Sequence, residues 1–210
     1  MDTVTNFSGL RDVGIALLAV VVVFMIGAFS AAYFRQTPLP TDPLQQLTLI
    51  ANDRIGWTAQ AIIFPLAFLA TAILFGVMAA RMPDAAPRWL AMISALLVVA
   101  GFVLWLPISV HRLELGANAA EMLRTFNPSV PVEVGRNTWS FWPHTLSILA
   151  AIALMGAALA LVGALATLGW VVAGLAVAGA LLGVLVMHDW PPFMSYVIVL
   201  VMAIGLIRSG

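Results

Sequence analysis

The sequence predicts an all-α fold, a polytopic transmembrane bundle of six spans. Of its 210 residues, 63% are hydrophobic and only 9% are charged, and the mean hydropathy is +1.08. A soluble globule of this size needs far more polar surface than that. Six long apolar stretches follow one another, and the central part of each lacks Asp, Glu, Lys, Arg and His. Each has about the ~20 residues with which a helix crosses a ~30 Å hydrocarbon core.

These stretches organise the chain as a single transmembrane domain. The predicted spans are residues 13–34, 57–80, 89–110, 145–165, 168–187 and 190–207. Residues 145–187 are almost continuously apolar, and as one helix they would measure ~65 Å, so we expect a tight turn at 166–169. Two longer segments, 35–56 and 111–144, join spans on one side of the membrane.

Each of these two outer loops is predicted to carry an amphipathic helix. In the first loop, Asp42 is a favourable N-cap and Pro43 suits the first helical position. An apolar face for the membrane interface would follow, formed by Leu44, Leu47, Leu49 and Ile50. The second loop has an amphipathic stretch at 113–126, which the Asn and Pro residues of 127–131 would end. Together the two helices would act as lids over the outer end of the bundle.

The first loop also carries a resemblance. Its sequence includes Asp42-Pro43-Leu44, Leu49-Ile50-Ala51-Asn52 and Arg54-Ile55-Gly56-Trp57. Together with the apolar span that runs to Arg81, this segment resembles a loop of uncharacterised bacterial membrane proteins with six or seven spans. Such families have no established activity, so the resemblance implies a multi-span fold and leaves the chemistry open.

Arginine placement predicts the orientation. Arg81 and Arg88 flank the short connection between the second and third spans, and Arg11 and Arg208 fall on the same side. Positive charge near span ends favours the cytoplasmic side. We therefore expect both termini in the cytoplasm and the protein in the bacterial cytoplasmic (inner) membrane, among membrane lipids.

The seven tryptophans lie near the ends of the spans, and none lies in the middle of one. They are predicted to be interfacial anchors, as in an aromatic belt, and not surfaces for stacking. The outer group is Trp57, Trp105, Trp139, Trp142 and Trp190, and the inner group is Trp89 and Trp170.

Small residues predict how the fourth and fifth spans pack. Gly156, Ala160 and Gly163 lie in one, and Gly179 and Gly183 are spaced four apart in the other. Such faces let helix backbones approach closely in lipid. The pattern favours a tight intramolecular hairpin, with self-association through Gly179 and Gly183 as the alternative.

Composition excludes several classes of function. The chain has no Cys, which excludes disulfides and thiolate-bound metals or clusters. Its net charge is zero and it has no basic segment, so nucleic-acid binding is excluded. No catalytic residue is predicted. The uncharged spans also argue against ion-coupled transport, which is usually marked by intramembrane ionisable groups.

All three histidines, His111, His144 and His188, are predicted on the outer face. Paired His side chains can ligate haem or a metal. None lies at helical ligand spacing from another, so the favoured interpretation is an interfacial side chain with a wet polar edge. No cofactor and no metal site is predicted from them, and they stay candidates only.

Charged residues on the same face are candidates for binding a ligand or holding a lid: Asp53, Arg54, Arg112, Glu114 and Asp189. For Asp53 and Arg54, we favour pinning of the loop to a neighbour over headgroup binding. For Asp189 beside His188, capping of the tight turn is favoured over acid–base chemistry, because no nucleophile stands beside the pair.

Three functions are compatible with these features. The favoured one is a non-enzymatic integral membrane protein, acting as an accessory or scaffold subunit of a larger complex. The alternative is a small transporter or lipid-binding protein with an outward-facing cavity beneath the lids. The second alternative is a redox protein in which the histidines ligate haem or a metal.

Overall fold

A computed structural model of the chain describes residues 8–36, 38–127 and 139–209. Its helices are α1 Ser8–Ser30, α2 Pro43–Asn52, α3 Arg54–Arg81, α4 Ala85–Arg124, α5 Phe141–Leu161, α6 Ala166–Leu182 and α7 Pro192–Ser209. A short 3-10 helix, Ala32–Arg35, follows α1, and a π-helical turn, Gly183–Met187, extends α6. No strand occurs within these ranges.

Six of these helices, all except α2, are long and apolar enough to cross a membrane. The prediction of an all-helical fold with six spans is confirmed. Neighbours along the chain pack side by side from α3 to α7, and α1 lies against both α3 and α7. We call the end of the bundle that carries α2 the capped end, and the end that carries Arg81 and Arg88 the opposite end.

Helix α4 differs from its prediction. Residues 89–110 and 113–126 were expected to form a span and a separate loop helix, and this is wrong because one helix of 40 residues covers both. At 1.5 Å per residue it is ~60 Å long, about twice the hydrocarbon core. Pro107 lies inside it on an exposed face. A single buried stripe continues through this point, comprising Ala91, Ser94, Val98, Gly101, Trp105, Ile108, Arg112, Leu115 and Ala119.

The predicted hairpin of α5 and α6 is present, but its turn and its contact face differ. The turn lies at 162–165, where Gly163 has a φ of 72°, and α6 has already begun at Ala166. Only glycine adopts that backbone conformation without strain, so the chain reverses there and not at the expected 166–169.

On α5 the close approach of the two backbones involves Gly156 and Ala160, as predicted, but on α6 it involves Gly169 and Ala173 instead of Gly179 and Gly183. A Cβ atom built on Gly156 would lie 2.6 Å from the backbone nitrogen of Ala173, and one built on Gly169 would collide with the backbone of Ala160. Gly179 and Gly183 instead face the indole of Trp190. A glycine face can admit a large ring as well as a helix, which spacing alone does not distinguish.

The capped end carries a lid, by which we mean the 3-10 helix Ala32–Arg35 and α2. As predicted, the carboxylate of Asp42 caps α2 by accepting a hydrogen bond from the backbone of Gln45 at 2.9 Å, and Pro43 is the first helical residue. The lid packs on the C-terminal part of α4 through a small second core, formed by Ala31, Tyr33, Leu47, Ile50, Trp57, Leu115 and Ala119. The remainder of the second loop, 128–138, lies outside the described residues.

The prediction that every tryptophan is an interfacial anchor is wrong for three of them. Trp89, Trp139 and Trp170 are exposed, as anchors should be. Trp57, Trp105 and Trp190 are buried among other helices. Trp57 and Trp105 lie on helix faces that point into the bundle, and Trp190, in the connection before α7, packs against Gly179 and Gly183. All three therefore contribute packing.

The hairpin contact predicts a contrast between two glycines of α6. Gly169→Leu should lower the free energy of unfolding by about 1–3 kcal/mol or more, because the new side chain meets a backbone that has no room to move. Gly174→Leu is the matched control, since a Cβ there meets nothing within 4 Å. Thermal unfolding in a fixed detergent measures both, and equal tolerance would contradict the packing.

Candidate functional site

A cavity of about 230 Å³ lies at the capped end, between the bundle and the lid. The helices α1, α3, α4, α5 and α7, the lid and the connection from α6 to α7 all contribute to its wall. Most of the wall is apolar, with Phe29, Phe34, Phe64, Phe141 and Phe193 among its residues. The polar residues in the described wall are Gln36, Gln60, Arg112 and Asp189.

Arg112 is the most unusual of these residues, because its side chain is charged and only 5% exposed. The carbon at the centre of its guanidinium lies 5.1 Å from the ring centre of Phe34, 5.3 Å from that of Trp105 and 5.9 Å from that of Trp57. Cations are attracted to the faces of aromatic rings at such distances, more strongly where water is excluded. Three rings from the lid, α3 and α4 therefore surround one cation at the cavity wall.

Gln60 fixes the orientation of the guanidinium. Its side-chain oxygen accepts a hydrogen bond from Nη1 of Arg112 at 3.0 Å, and its Nε2 donates to the backbone oxygen of Ala28 at 3.1 Å. The backbone of Arg112 is held as well, since the indole of Trp57 donates to its carbonyl oxygen at 2.6 Å. These bonds link α1, α3 and α4 around the same group.

Asp53 pins the lid to the bundle, as predicted. Its carboxylate accepts hydrogen bonds from the backbone of Ala32 and, at 3.3 Å, from that of Gly56, and it lies 4.0 Å from the guanidinium of Arg35. It is both the N-cap of α3 and the anchor of the 3-10 helix. Arg54, its neighbour, is exposed at the start of α3 and lies outside the cavity wall.

His144 does not have the wet interfacial position that was predicted for the histidines. It is 2% exposed, its ring centre lies 4.6 Å from those of Phe68 and Trp105, and its Nδ1 lies 2.7 Å from the carbonyl oxygen of Gly101. A carbonyl only accepts, so Nδ1 donates in this contact. His144 lies in the first turn of α5, on the face that is buried in the bundle. Its ring therefore packs against α4 and does not reach the headgroups.

The other two histidines occupy different surroundings. His111 is half-buried on α4, and His188 is exposed and has a φ of 50° where the π-helical turn ends. Within 8–36, 38–127 and 139–209, no group of three His, Asp or Glu side chains could hold a metal ion. Haem or metal ligation by these histidines stays an untested alternative.

The two remaining acidic candidates, Glu114 and Asp189, lie in different places. Glu114 is exposed on the outer part of α4. Asp189 caps the turn before α7, as predicted, because its carboxylate accepts a hydrogen bond from the backbone of Trp190 at 2.8 Å. Asp189 also lines the cavity, so the structure brings it to the same site as Arg112 and Gln60.

Sequence reasoning missed Gln60, the aromatic rings and the burial of Arg112. A signal was available, because Arg112 lies at helical spacing from Ile108, Leu115 and Ala119, which are all buried. Comparison with protein-family models, curated proteins and solved structures found no match.

Because Asp53 anchors the lid as well as capping α3, its replacement by Ala should lower the free energy of unfolding more than the loss of an ordinary helix cap does. Asp42→Ala removes one cap bond and should cost about 1 kcal/mol. Asp53→Ala should cost about 2 kcal/mol, because it also leaves the backbone of Ala32 without its acceptor. Thermal unfolding measures the difference, and hydrogen exchange should quicken at Ala32 and Gly56. Equal losses from both variants would contradict the anchor.

Proposed function

We propose that the protein is a non-enzymatic membrane protein that binds an amphiphilic molecule of the lipid class in the capped-end cavity. The observation that carries this proposal is the cavity itself, which joins apolar, aromatic walls to a few polar groups. Sites for small molecules commonly have that composition, with the polar groups fixing the orientation of the ligand.

The size and position of the cavity support a ligand that is only partly enclosed. Its volume of about 230 Å³ is below the ~300–1,000 Å³ usual for pockets that enclose a whole drug-sized molecule. Phe29 is half exposed on α1, and its ring centre lies 6.0 Å from that of Phe193 on α7. A headgroup would occupy the cavity, and its chain would run past this packed pair of rings into the membrane.

This proposal favours a lipid-binding protein with an outward-facing cavity over an accessory or scaffold subunit of a larger complex. A scaffold needs no such cavity. Association with other membrane subunits stays a prediction from the sequence. Self-association through Gly179 and Gly183 has less support than before, because both glycines face Trp190 of the same chain.

We also propose an orientation in which the opposite end faces the cytoplasm of a bacterium and the cavity opens on the outer side. Arg81, Arg88 and Arg208 lie at the opposite end, close to the ends of their spans, which is the arrangement that the positive-inside rule favours. Trp89 and Trp170, both exposed, lie near the same boundary.

Filling the cavity should abolish binding. Ala28 lies in the wall, and Ala28→Phe would occupy space that the ligand needs. Ala150→Phe, on an exposed face of α5, is the matched control. With a nitroxide-labelled single-chain amphiphile in nanodiscs, quenching of tryptophan fluorescence should saturate in the wild type and the control and lose its saturable part in Ala28→Phe. Equal saturation in both variants, with unchanged thermal midpoints, would contradict the proposal.

The orientation can be tested separately, because the chain has no Cys. In intact cells, an impermeant maleimide should label Ala120→Cys and His188→Cys at the capped end and leave Ala86→Cys unlabelled until the cells are opened. Labelling of Ala86→Cys alone would show that the orientation is the reverse of the one proposed. Labelling of positions 120 and 188 on opposite sides would contradict the topology itself.

A further inference from the structure

We propose that a groove between α3 and α4 holds one acyl chain of an anionic phospholipid, whose phosphate binds the guanidinium of Arg88. The groove lies at the opposite end of the bundle from the capped-end cavity. It is a second site, and it does not rest on the proposed function. The shape of the groove, its length and the charge at its end all point to this ligand.

The groove is a space of about 380 Å³ on the membrane-facing surface, where α3 and α4 separate. Its α3 side is made of small residues, and its α4 side consists mostly of larger ones. The lining residues are Gly76, Ala79, Ala80, Arg88, Met92, Ala95, Leu96 and Val99. Because Met92, Leu96 and Val99 are all exposed, the groove is open to the lipid that surrounds the bundle.

Gly76 deepens the groove. A Cβ atom built on this glycine would meet nothing within 4 Å, so no contact with the described residues requires glycine at this position. Glycine in the interior of a helix is destabilising relative to alanine. Its presence here leaves room for a ligand to approach the backbone of α3 closely, as small residues do at helix contacts in lipid.

The length of the groove matches one leaflet of a bilayer. On α4 the lining extends from Arg88 to Val99, a rise of ~16 Å at 1.5 Å per residue. One leaflet contributes ~15 Å to a hydrocarbon core of ~30 Å. Trp89, beside Arg88, is exposed, as tryptophans at the headgroup level are. A lipid with its phosphate at Arg88 would therefore extend its chain along the groove to the middle of the bilayer.

Arg88 places a positive charge at the headgroup end of the groove. Its Nε and Nη2 donate hydrogen bonds to the carbonyl oxygen of Met82, at 3.3 and 2.9 Å, which restricts the guanidinium. Among the described residues, no acceptor pairs with its Nη1 and no acid lies within ion-pair distance, including Asp84 one turn earlier. The N–H groups of a guanidinium suit the oxygens of a phosphate.

The charge balance of the opposite end favours a lipid with a net negative charge. Arginines outnumber aspartates among the described ionisable residues there, which are Arg11, Asp12, Arg81, Asp84, Arg88 and Arg208. Cationic side chains near the membrane surface attract anionic lipids. A zwitterionic lipid would bring its own ammonium group close to the same arginines. Phosphatidylglycerol therefore fits better than phosphatidylcholine.

Two pairs of variants separate the groove from the rest of the surface. Gly76→Leu fills the groove without a clash, and Gly174→Leu is its matched control on α6, since a Cβ at either glycine meets nothing within 4 Å. Arg88→Gln removes the charge at the groove. Arg208→Gln, on α7, removes an equal charge at the same end of the bundle.

Native mass spectrometry of the delipidated protein counts the bound lipids. The protein in a mild non-ionic detergent is titrated with phosphatidylglycerol or with phosphatidylcholine of the same acyl chains. At saturation, Gly76→Leu should carry one phosphatidylglycerol fewer than the wild type and Gly174→Leu. For that binding step, the wild type and Arg208→Gln should prefer phosphatidylglycerol by about 5-fold, the factor that one arginine near a membrane surface provides. Arg88→Gln should bind the two lipids equally.

Four results would overturn the inference. The first is an equal number of bound lipids in Gly76→Leu and the wild type. The second is a preference for phosphatidylglycerol that Arg88→Gln keeps, or that Arg208→Gln loses to the same extent. The third is a dimer that Gly76→Leu disrupts, because a second copy of the chain would then occupy the groove. The fourth is displacement of the lipid by an equal concentration of glycerol phosphate, because a free phosphate compound would then be the ligand. All four leave the capped-end cavity untouched, which Ala28→Phe tests separately.

Discussion

The burial of one guanidinium, that of Arg112, is the constraint on which the capped end depends. Removing such a charge from water costs several kcal/mol, which its surroundings must offset. Here the compensation is spread over the structure. Phe34 of the lid, Trp57 and Gln60 of α3 and Trp105 of α4 all contact the group, and Gln60 is itself held by α1. The position of the lid and the position of the cation therefore depend on each other.

The length of α4 explains why such a site exists. A helix about twice as long as the membrane is thick carries its buried stripe beyond the bundle, and the lid packs on that extension through Leu115 and Ala119. Asp53 then fixes the other side of the lid to the start of α3. With the lid held on these two supports, a gap is left towards α7, and that gap is the cavity whose far wall includes Phe193.

The sequence predicted the features that depend on local composition. In a bilayer, six apolar stretches of suitable length are expected to form spanning helices, and the cap formed by Asp42 is a local hydrogen bond. The continuity of α4 was missed because Pro107, followed by Arg112, resembles the end of a span. Tertiary packing overrides both signals, since Pro107 lies on an exposed face and Arg112 is accommodated by rings that are distant in the sequence.

Tertiary packing also explains why much of the candidate site could not be predicted from the sequence. The depth of a residue in the membrane can be estimated from its place along a span, but the face of the helix decides whether it meets lipid or protein. His144 and Trp105 were assigned by depth alone and are packed together in the interior. Gln60 and Arg112 approach each other from different helices across 52 positions of sequence, and no local pattern indicates that contact.

The central claim is the proposal that the capped-end cavity binds an amphiphile of the lipid class. Native mass spectrometry of the protein, extracted from its own membrane in a mild detergent, tests this most directly. The account predicts that the wild type retains a lipid, that Ala28→Phe, which fills the cavity, loses it, and that Ala150→Phe keeps it. Identical bound lipids in the wild type and Ala28→Phe, or none in either, would contradict the account.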